Sequence, residues 1–316
     1  MTKTVFIDGA AGTTGLEIRE RLATRADLTV LQLSEADRKQ VGPRSRALNE
    51  ADIVILCLPD DAAREAVSLI RNPDVRVIDA STAHRVAPGW VYGLPEFEPG
   101  NYDAIGDAKR VTNPGCYATG FLALVRPLVL AGLVPTAAPL TVNAVSGYSG
   151  GGKAMIEEFE RKDSTNYVET VVRTYALTLA HKHVPEMKVR AGLMHAPVFA
   201  PNVGRFYRGM IVEVPLQLWS LPGAPTADRI REVLSDFYRG RPLVVVASRE
   251  ETKALKTLDA EMLKNSNELK IFVFGNDNAQ QARLVAVLDN LGKGASGAAV
   301  QSLNIMLGLP ETKGLV

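Results

Sequence analysis

Only two cysteines occur in the 316 residues, and one of them, Cys116, follows Asn113, Pro114 and Gly115 and precedes an apolar run, YATGFLALVRPLVLAGL. The run has helical spacing, so Cys116 is predicted in the first turn of a buried helix. Gly115 would let a ligand approach the backbone there. A thiol at that point faces unsatisfied N–H groups and the positive end of the helix dipole, which lower its pKa. The same N–H groups can hold the oxyanion formed when sulfur attacks a carbonyl. Cysteine also serves as a small buried residue, and for an isolated NPGC the two readings balance. A proton partner tips them. HKHVPEM (181–187) supplies His181 and His183, read as same-side residues of an extended segment. Glu186 follows them, and Tyr175 lies six positions before His181. Cys116 with His183, His181 and Tyr175 has the composition of a nucleophile with acid–base partners.

Two glycine-dense stretches suit anions. SGYSGGGK (146–153) follows the apolar PLTVNAVS, so Ser146, Gly147 and Lys153 are candidates to wrap a phosphate or carboxylate; the alternative is a flexible surface loop. GAAGTTG (9–15) stands between the β-branched TVFID and the helical LEIRERLATR. Strand, glycine turn and helix together make a dinucleotide site, in which Gly9, Gly12, Thr13, Thr14 and Gly15 would meet a pyrophosphate at the helix N-terminus. The spacing is G-x-x-G-x-x-G, a variant of the usual fingerprint. Past the second strand come Ser34, Glu35, Ala36, Asp37, Arg38 and Lys39. Ser34 with Arg38 or Lys39 would hold a 2′-phosphate and favour NADP, whereas Glu35 argues for NAD. The reading here is NADP.

These groups need a scaffold. LTVLQLS (28–34), ADIVILCLP (51–59) and VRVIDAS (75–81) read as strands alternating with helices, which implies a Rossmann-type, doubly wound parallel sheet. Cys57 falls in the middle of the third strand and reads as a buried hydrophobe. Residues 135–285 hold LTVNAV, GMIVEVPLQL, LVVVAS, LKIFVFG and ARLVAVLD, expected as a second α+β domain with a mixed, mostly antiparallel sheet. ADRIREVLSDFYRG (227–240) reads as one amphipathic helix.

The bulk numbers suit a two-domain enzyme. A net charge of +1 gives no basic surface for nucleic acid. No secretory signal and no stretch long enough for a membrane is apparent. Two cysteines 59 positions apart and four histidines suggest neither a disulfide framework nor a metal site, so a reducing cytoplasm is expected.

Taken together, GAAGTTG, DASTAHR, YGLPE, NPGCYAT, SGYSGGGK, HKHVPE, FYRGM and DNLGKGASGAAVQSLN resemble one family nearly end to end. It is the N-acetyl-γ-glutamyl-phosphate reductases, in their shorter length class, relatives of aspartate-semialdehyde dehydrogenase. The resemblance implies NADPH-dependent reduction of N-acetylglutamyl phosphate in arginine biosynthesis through a Cys116 thioester. It makes His183 the favoured acid–base, with His181 and Tyr175 as companions. Arg208 in FYRGM and Arg85 in STAHR become ligands for the substrate's carboxylate or phosphate; the alternative for each is an ordinary ion pair. His84 and His195 read as structural. The closing segment becomes a helix returning to the nucleotide domain, with Asn290 and Gly294 reaching the nicotinamide side. The implied domains are 1–115 for NADP, 116–287 for catalysis and dimerisation, and 288–316 for the returning helix, in a homodimer or homotetramer. Longer relatives carry a Pro-His step before their Arg-Gly, where FAPNVGRFYRG has Asn202, so no histidine role carries over there. Another acyl-phosphate reductase (aspartyl or carrier-linked aminoadipyl), or a non-catalytic dinucleotide sensor, are the competing expectations.

Overall fold

A computed structural model describes residues 2–315, which form two compact units. Unit 1 takes the chain up to Pro95, Pro99–Pro114 and the chain from Ala295 onward. Unit 2 takes Glu96–Glu98 and Gly115–Gly294.

Unit 1 opens with β1 (Lys3–Asp8), α1 (Thr13–Leu22), β2 (Leu28–Leu31), α2 (Val41–Glu50), β3 (Ile53–Leu56) and α3 (Asp60–Leu69). It continues with β4 (Arg76–Asp79), β5 (Val91–Tyr92), α4 (Asn101–Asp107) and β6 (Arg110–Thr112). Among the described residues these strands make one six-stranded parallel sheet in the order β2-β1-β3-β4-β6-β5. The chain winds outward from β1 in both directions, as the alternation of strands and helices requires. β3, IVIL, is buried at every residue, as a strand covered on both faces must be. Its one-sided cluster joins Val54 and Leu56 to Leu48, Ala63 and Val77. Each such aliphatic side chain contributes about 1.5–3 kcal/mol on leaving water.

The third strand is shorter than expected, and Cys57 is not in its middle. Cys57 lies just past Leu56 and is half-buried, with its N–H donating to the Asp8 carbonyl at 2.8 Å. The ladder ends with that bond because the chain then turns toward Pro59, the N-cap of α3. Burial, then the charges of Asp79 and Asp8, push the Cys57 thiol up to about 12. It is inert at neutral pH.

Unit 2 holds α5 (Cys116–Leu130), β7 (Thr141–Gly147), α6 (Gly152–Glu160), β8 (Val172–Thr174), α7 (Val184–Ala191) and β9 (Val198–Gly204). There follow β10 (Met210–Gln217), α8 (Ala227–Phe237), β11 (Val244–Val246), α9 (Arg249–Ala254), β12 (Leu269–Asn276) and β13 (Gln281–Leu288). The seven strands run β11-β12-β13-β10-β7-β9-β8, antiparallel except for β11 with β12 and β7 with β9. β9, VFAPNVG, escaped sequence reading because Pro201 and Asn202 interrupt its apolar alternation. A π-turn over Gly292–Ser296 leads into α10 (Gly297–Met306), which packs in unit 1 against α4 and α1.

α5 is apolar nearly all round and buried from Tyr117 to Val125, so it is held by packing on every side. Pro127 inside it has no N–H for the Ala123 carbonyl. The buried Tyr238 hydroxyl fills that gap, donating to Ala123 O at 2.9 Å.

Candidate active site

Cys116 is the first residue of α5, and Gly115 is its N-cap with no side-chain cap of its own. The N–H groups of Cys116, Tyr117 and Ala118 belong to the opening turn, which has no preceding helical carbonyl to receive them. Gly115 is fixed on both sides. Its N–H donates to Glu186 Oε1 at 2.9 Å, and its carbonyl accepts the Thr119 N–H at 2.8 Å and hydroxyl at 3.1 Å. Gly294 packs directly on Cys116: a Cβ there would stand 2.8 Å from Cys116 Cβ, so only glycine fits.

The histidine pair does not lie in an extended segment. His181 and His183 form a turn, with His183 as the N-cap of α7 at φ −85° and ψ −11°. Pro185 at the helix start and Glu186 in its first turn favour helix over strand. The His183 N–H donates to His181 Nδ1 at 3.1 Å, and the two ring centroids are 4.7 Å apart. Tyr117, the neighbour of Cys116, has its ring 5.8 Å from both imidazoles. Tyr175 stands 5.7 Å from the His181 ring, and its hydroxyl donates to that of Tyr117 at 3.1 Å. The structure therefore gathers Cys116, Tyr175, His181 and His183 around Tyr117. Burial pushes the Tyr117 phenol well up, with Tyr175 and Cys116 adding to it. Burial also pushes Tyr175 up to about 12. Both phenols are neutral hydrogen-bonding groups near pH 7.

Of the expected anion ligands, Ser146 and Gly147 end β7, and Ser146 Oγ donates to the Gly147 carbonyl at 3.2 Å. The stretch 146–153 is not a loop: Tyr148–Gly151 make a 3-10 turn and α6 starts at Gly152. Lys153 is exposed on α6. Arg208 donates to Asn265 Oδ1 at 2.6 Å and pairs with the fully buried Asp289 at 3.3 Å. Asp289 also accepts the N–H groups of Leu291 at 2.8 Å, Gly292 at 3.0 Å and Asn265 at 2.5 Å. Asn290 is buried in unit 2, accepting Gly209 N–H at 2.8 Å and donating to Ser149 Oγ at 2.9 Å. The stretch from Asp289 to Gly294 thus braces Arg208, the 3-10 turn and Cys116.

In unit 1 the turn from Gly9 to Gly15 joins β1 to α1. Gly9 has φ +88°, and a Cβ there would meet the Cys57 carbonyl oxygen at 2.3 Å. α1 starts at Gly12 with no side-chain cap, leaving the N–H groups of Thr13, Thr14 and Gly15 at its opening turn. That uncapped start of a ten-residue helix fits a pyrophosphate. Ser34 and Arg38 lie on an exposed turn, where Ser34 Oγ donates to Asp37 at 2.7 Å and Arg38 to Glu35 at 2.6 Å. Arg85 is buried and donates to the carbonyls of Asn113 at 3.1 Å and Ala80 at 3.3 Å. His84 stacks on Trp90 at 4.1 Å and bonds the buried Asp79 at 2.6 Å, while His195 is exposed. Among the described residues no group of three or more His, Cys, Asp or Glu side chains is arranged for a metal, and no helix is long and apolar enough to cross a membrane.

Sequence reading noted Glu186 beside the histidines but missed Tyr117 and Asp289. Tyr117 gave a signal by following the cysteine directly. Asp289 reaches Arg208 and Asn265, and Glu186 reaches Gly115, only through the fold, which no local pattern encodes.

The family model for the semialdehyde dehydrogenase NAD binding domain matches residues 4–105, and that for the semialdehyde dehydrogenase dimerisation domain matches 116–290. N-acetyl-gamma-glutamyl-phosphate reductase 2 of Nostoc sp. is 50% identical over 98% of both chains. The N-acetyl-gamma-glutamyl-phosphate reductase of Sinorhizobium medicae is 52% identical over 97% of this chain and 99% of its own. The fold is shared with aspartate semialdehyde dehydrogenase II of Vibrio cholerae, solved with ASA, at a TM-score of 0.74 and 15% identity over 98% of this chain and 99% of that one. The Candida albicans aspartate semialdehyde dehydrogenase solved with NADP gives 0.65 at 13% identity over 97% and 99%.

Proposed function

We propose, for a chain that belongs to the N-acetyl-γ-glutamyl-phosphate reductases of the semialdehyde dehydrogenase family, that it reduces N-acetylglutamyl 5-phosphate to N-acetylglutamate 5-semialdehyde and phosphate with NADPH. This is a cytoplasmic step of arginine biosynthesis. The observation that carries the chemistry is Cys116 at the opening turn of α5, in one cluster with His181, His183 and Tyr175.

Cys116 attacks the acyl carbon as thiolate. The oxyanion is received by the opening N–H groups of α5, the carbon–oxygen bond to phosphate breaks, and a thioester remains on sulfur. NADPH supplies the hydride for the thioester carbon when bound. His183 protonates the resulting oxygen, then takes that proton back as the carbon–sulfur bond breaks and the semialdehyde leaves. Tyr117 and Tyr175, both neutral, orient the imidazoles. Arg208, Arg85, Ser146, Gly147 and Lys153 bind the substrate's carboxylate and phosphate. Gly9, Gly12, Thr13, Thr14 and Gly15 would hold the pyrophosphate. Ser34 and Arg38 would exchange Asp37 and Glu35 for a 2′-phosphate, with Asn290 and Gly294 bordering the nicotinamide end. The dimerisation domain would join two or four copies.

The test is the reverse reaction. The protein is mixed with NADP⁺, inorganic phosphate and N-acetylglutamate semialdehyde, and NADPH absorbance is followed, with aspartate semialdehyde in parallel. Phosphate-dependent reduction of NADP⁺ with the acetylated substrate alone is expected. Activity with aspartate semialdehyde alone would keep the chemistry and change the substrate. Silence with both would favour a dinucleotide sensor.

A further inference from the structure

Glu186 stands outside the chemistry described above, yet its carboxylate is buried beside the nucleophile. It is 1% exposed, it lies in the first turn of α7, and Oε1 takes the Gly115 N–H at 2.9 Å. His183 is the N-cap of the same turn, and its carbonyl accepts the Met187 N–H at 2.9 Å. Residues three apart on a helix are neighbours on one face. One helical turn therefore carries both the acid–base histidine and the group that grips the residue before Cys116. The other half of the grip is local: the Gly115 carbonyl is held by the Thr119 N–H and hydroxyl.

We infer that Glu186 is a positioning residue that sets the separation of the Cys116 sulfur from the His183 imidazole, by fastening the start of α5 to the start of α7. This rests on the reading of Cys116 as nucleophile and His183 as acid–base. Two consequences follow from the bond itself. The Gly115 N–H is committed to Glu186, so the oxyanion is left to the N–H groups of Cys116, Tyr117 and Ala118. And what Glu186 must supply is an acceptor of correct reach. Its charge is secondary.

Two conservative variants separate reach from charge. Glu186→Gln keeps an oxygen at the same distance and loses the charge. Glu186→Asp keeps the charge and draws the oxygen back by one methylene. Each is assayed in the reverse reaction for kcat and KM, and separately for the rate of Cys116 alkylation by iodoacetamide, mapped by mass. Cofactor binding and thermal unfolding of each variant serve as the fold control.

Glu186→Gln is expected to keep kcat near the parent. Glu186→Asp is expected to lose about 10²-fold in kcat, the usual effect of a misplaced reacting group, with KM little changed and alkylation slowed. A Gln variant as impaired as Asp, an Asp variant equal to the parent, or a loss confined to KM would each overturn the inference. Failure of the underlying reading looks different. A parent enzyme that keeps its turnover with Cys116 fully alkylated has no thioester, while the alkylation rates of the two variants still report whether Glu186 holds the start of α5.

Discussion

The Lys293 ammonium lies 2.8 Å from both carboxylate oxygens of Glu96, and the two side chains are 0% and 1% exposed. Glu96 belongs to the three residues, Glu96–Glu98, that join unit 2 while the chain on either side builds unit 1. Glu98 and Phe97 meet Arg126, by an ion pair at 2.7 Å and a ring contact at 5.4 Å. Lys293 directly precedes Gly294, which touches Cys116. Removing one partner of a buried ion pair leaves the other as an uncompensated buried charge. Lys293→Met alone should therefore cost about 3–5 kcal/mol by stranding the carboxylate. The double variant Glu96→Leu with Lys293→Met should recover most of that loss. Urea denaturation of both proteins is the measurement. A single variant as stable as the parent would show that water reaches Glu96.

The cysteine and histidine variants test the chemistry directly. Cys116→Ala should abolish turnover while dinucleotide binding is retained, since the matched NAD binding domain, residues 4–105, does not include Cys116. Turnover at the parental rate would exclude the thioester. His183→Asn should slow kcat by roughly 10²–10⁴-fold. His181 offers its Nδ1 to the His183 N–H, so His181→Asn should act more weakly, by disturbing the turn. If His181→Asn is the more damaging, the acid–base role belongs to His181.

Much of this was legible in the sequence, and the failures have physical causes. The β1–turn–α1 unit, the buried β3 and the apolar α5 each satisfy a local pattern, and local patterns are what a sequence displays. The place of Cys116 at the start of a buried helix was legible because an apolar run of helical spacing follows it. The conformation of His181 and His183 was misread, although Pro185 and Glu186 mark a helix start. The apolar alternation of β9 is broken by Pro201, which pairs with Ala144 of β7 and lies beyond the register shared with β8. Lys293 in GKG reads as a solvated lysine, and only the fold brings Glu96, 197 positions away, to its side. Asp289 likewise looks like the end of a strand until the fold lays Arg208 and Asn265 beside it.

Gly294 offers a test of close packing at Cys116. Its missing side chain admits Cys116 Cβ to within 2.8 Å of where its own Cβ would be. Alanine there must push either the start of α5 or the π-turn aside. Gly294→Ala is expected to lose about 10²-fold in kcat, as a displacement near 1 Å at a reacting atom does. The loss should appear in kcat and in Cys116 alkylation, with the thermal midpoint moved little. Unchanged kcat would mean that the turn yields and the thiol does not.

The tyrosines give the pH dependence. Four phenols are held above the ordinary range: those of Tyr117, Tyr148, Tyr175 and Tyr238. Burial is the leading cause in each. A phenol ionises near 10 in the unfolded chain, while Tyr175 and Tyr148 ionise at about 12 in the folded one. A raised folded pKa means that the unfolded chain gives up its proton first as pH rises. The contribution of these groups is then fully present below pH 10 and is lost progressively from 10 toward 12. Titration by phenolate absorbance should show a late stage, above pH 10, from these four phenols together with loss of the fold. Tyr175→Phe should remove one tyrosine from the late stage and soften the fall in stability over that window. A single stage near pH 10 covering all eight would mean that water reaches the Tyr117–Tyr175 pair, and that either phenol is available as an acid beside Cys116.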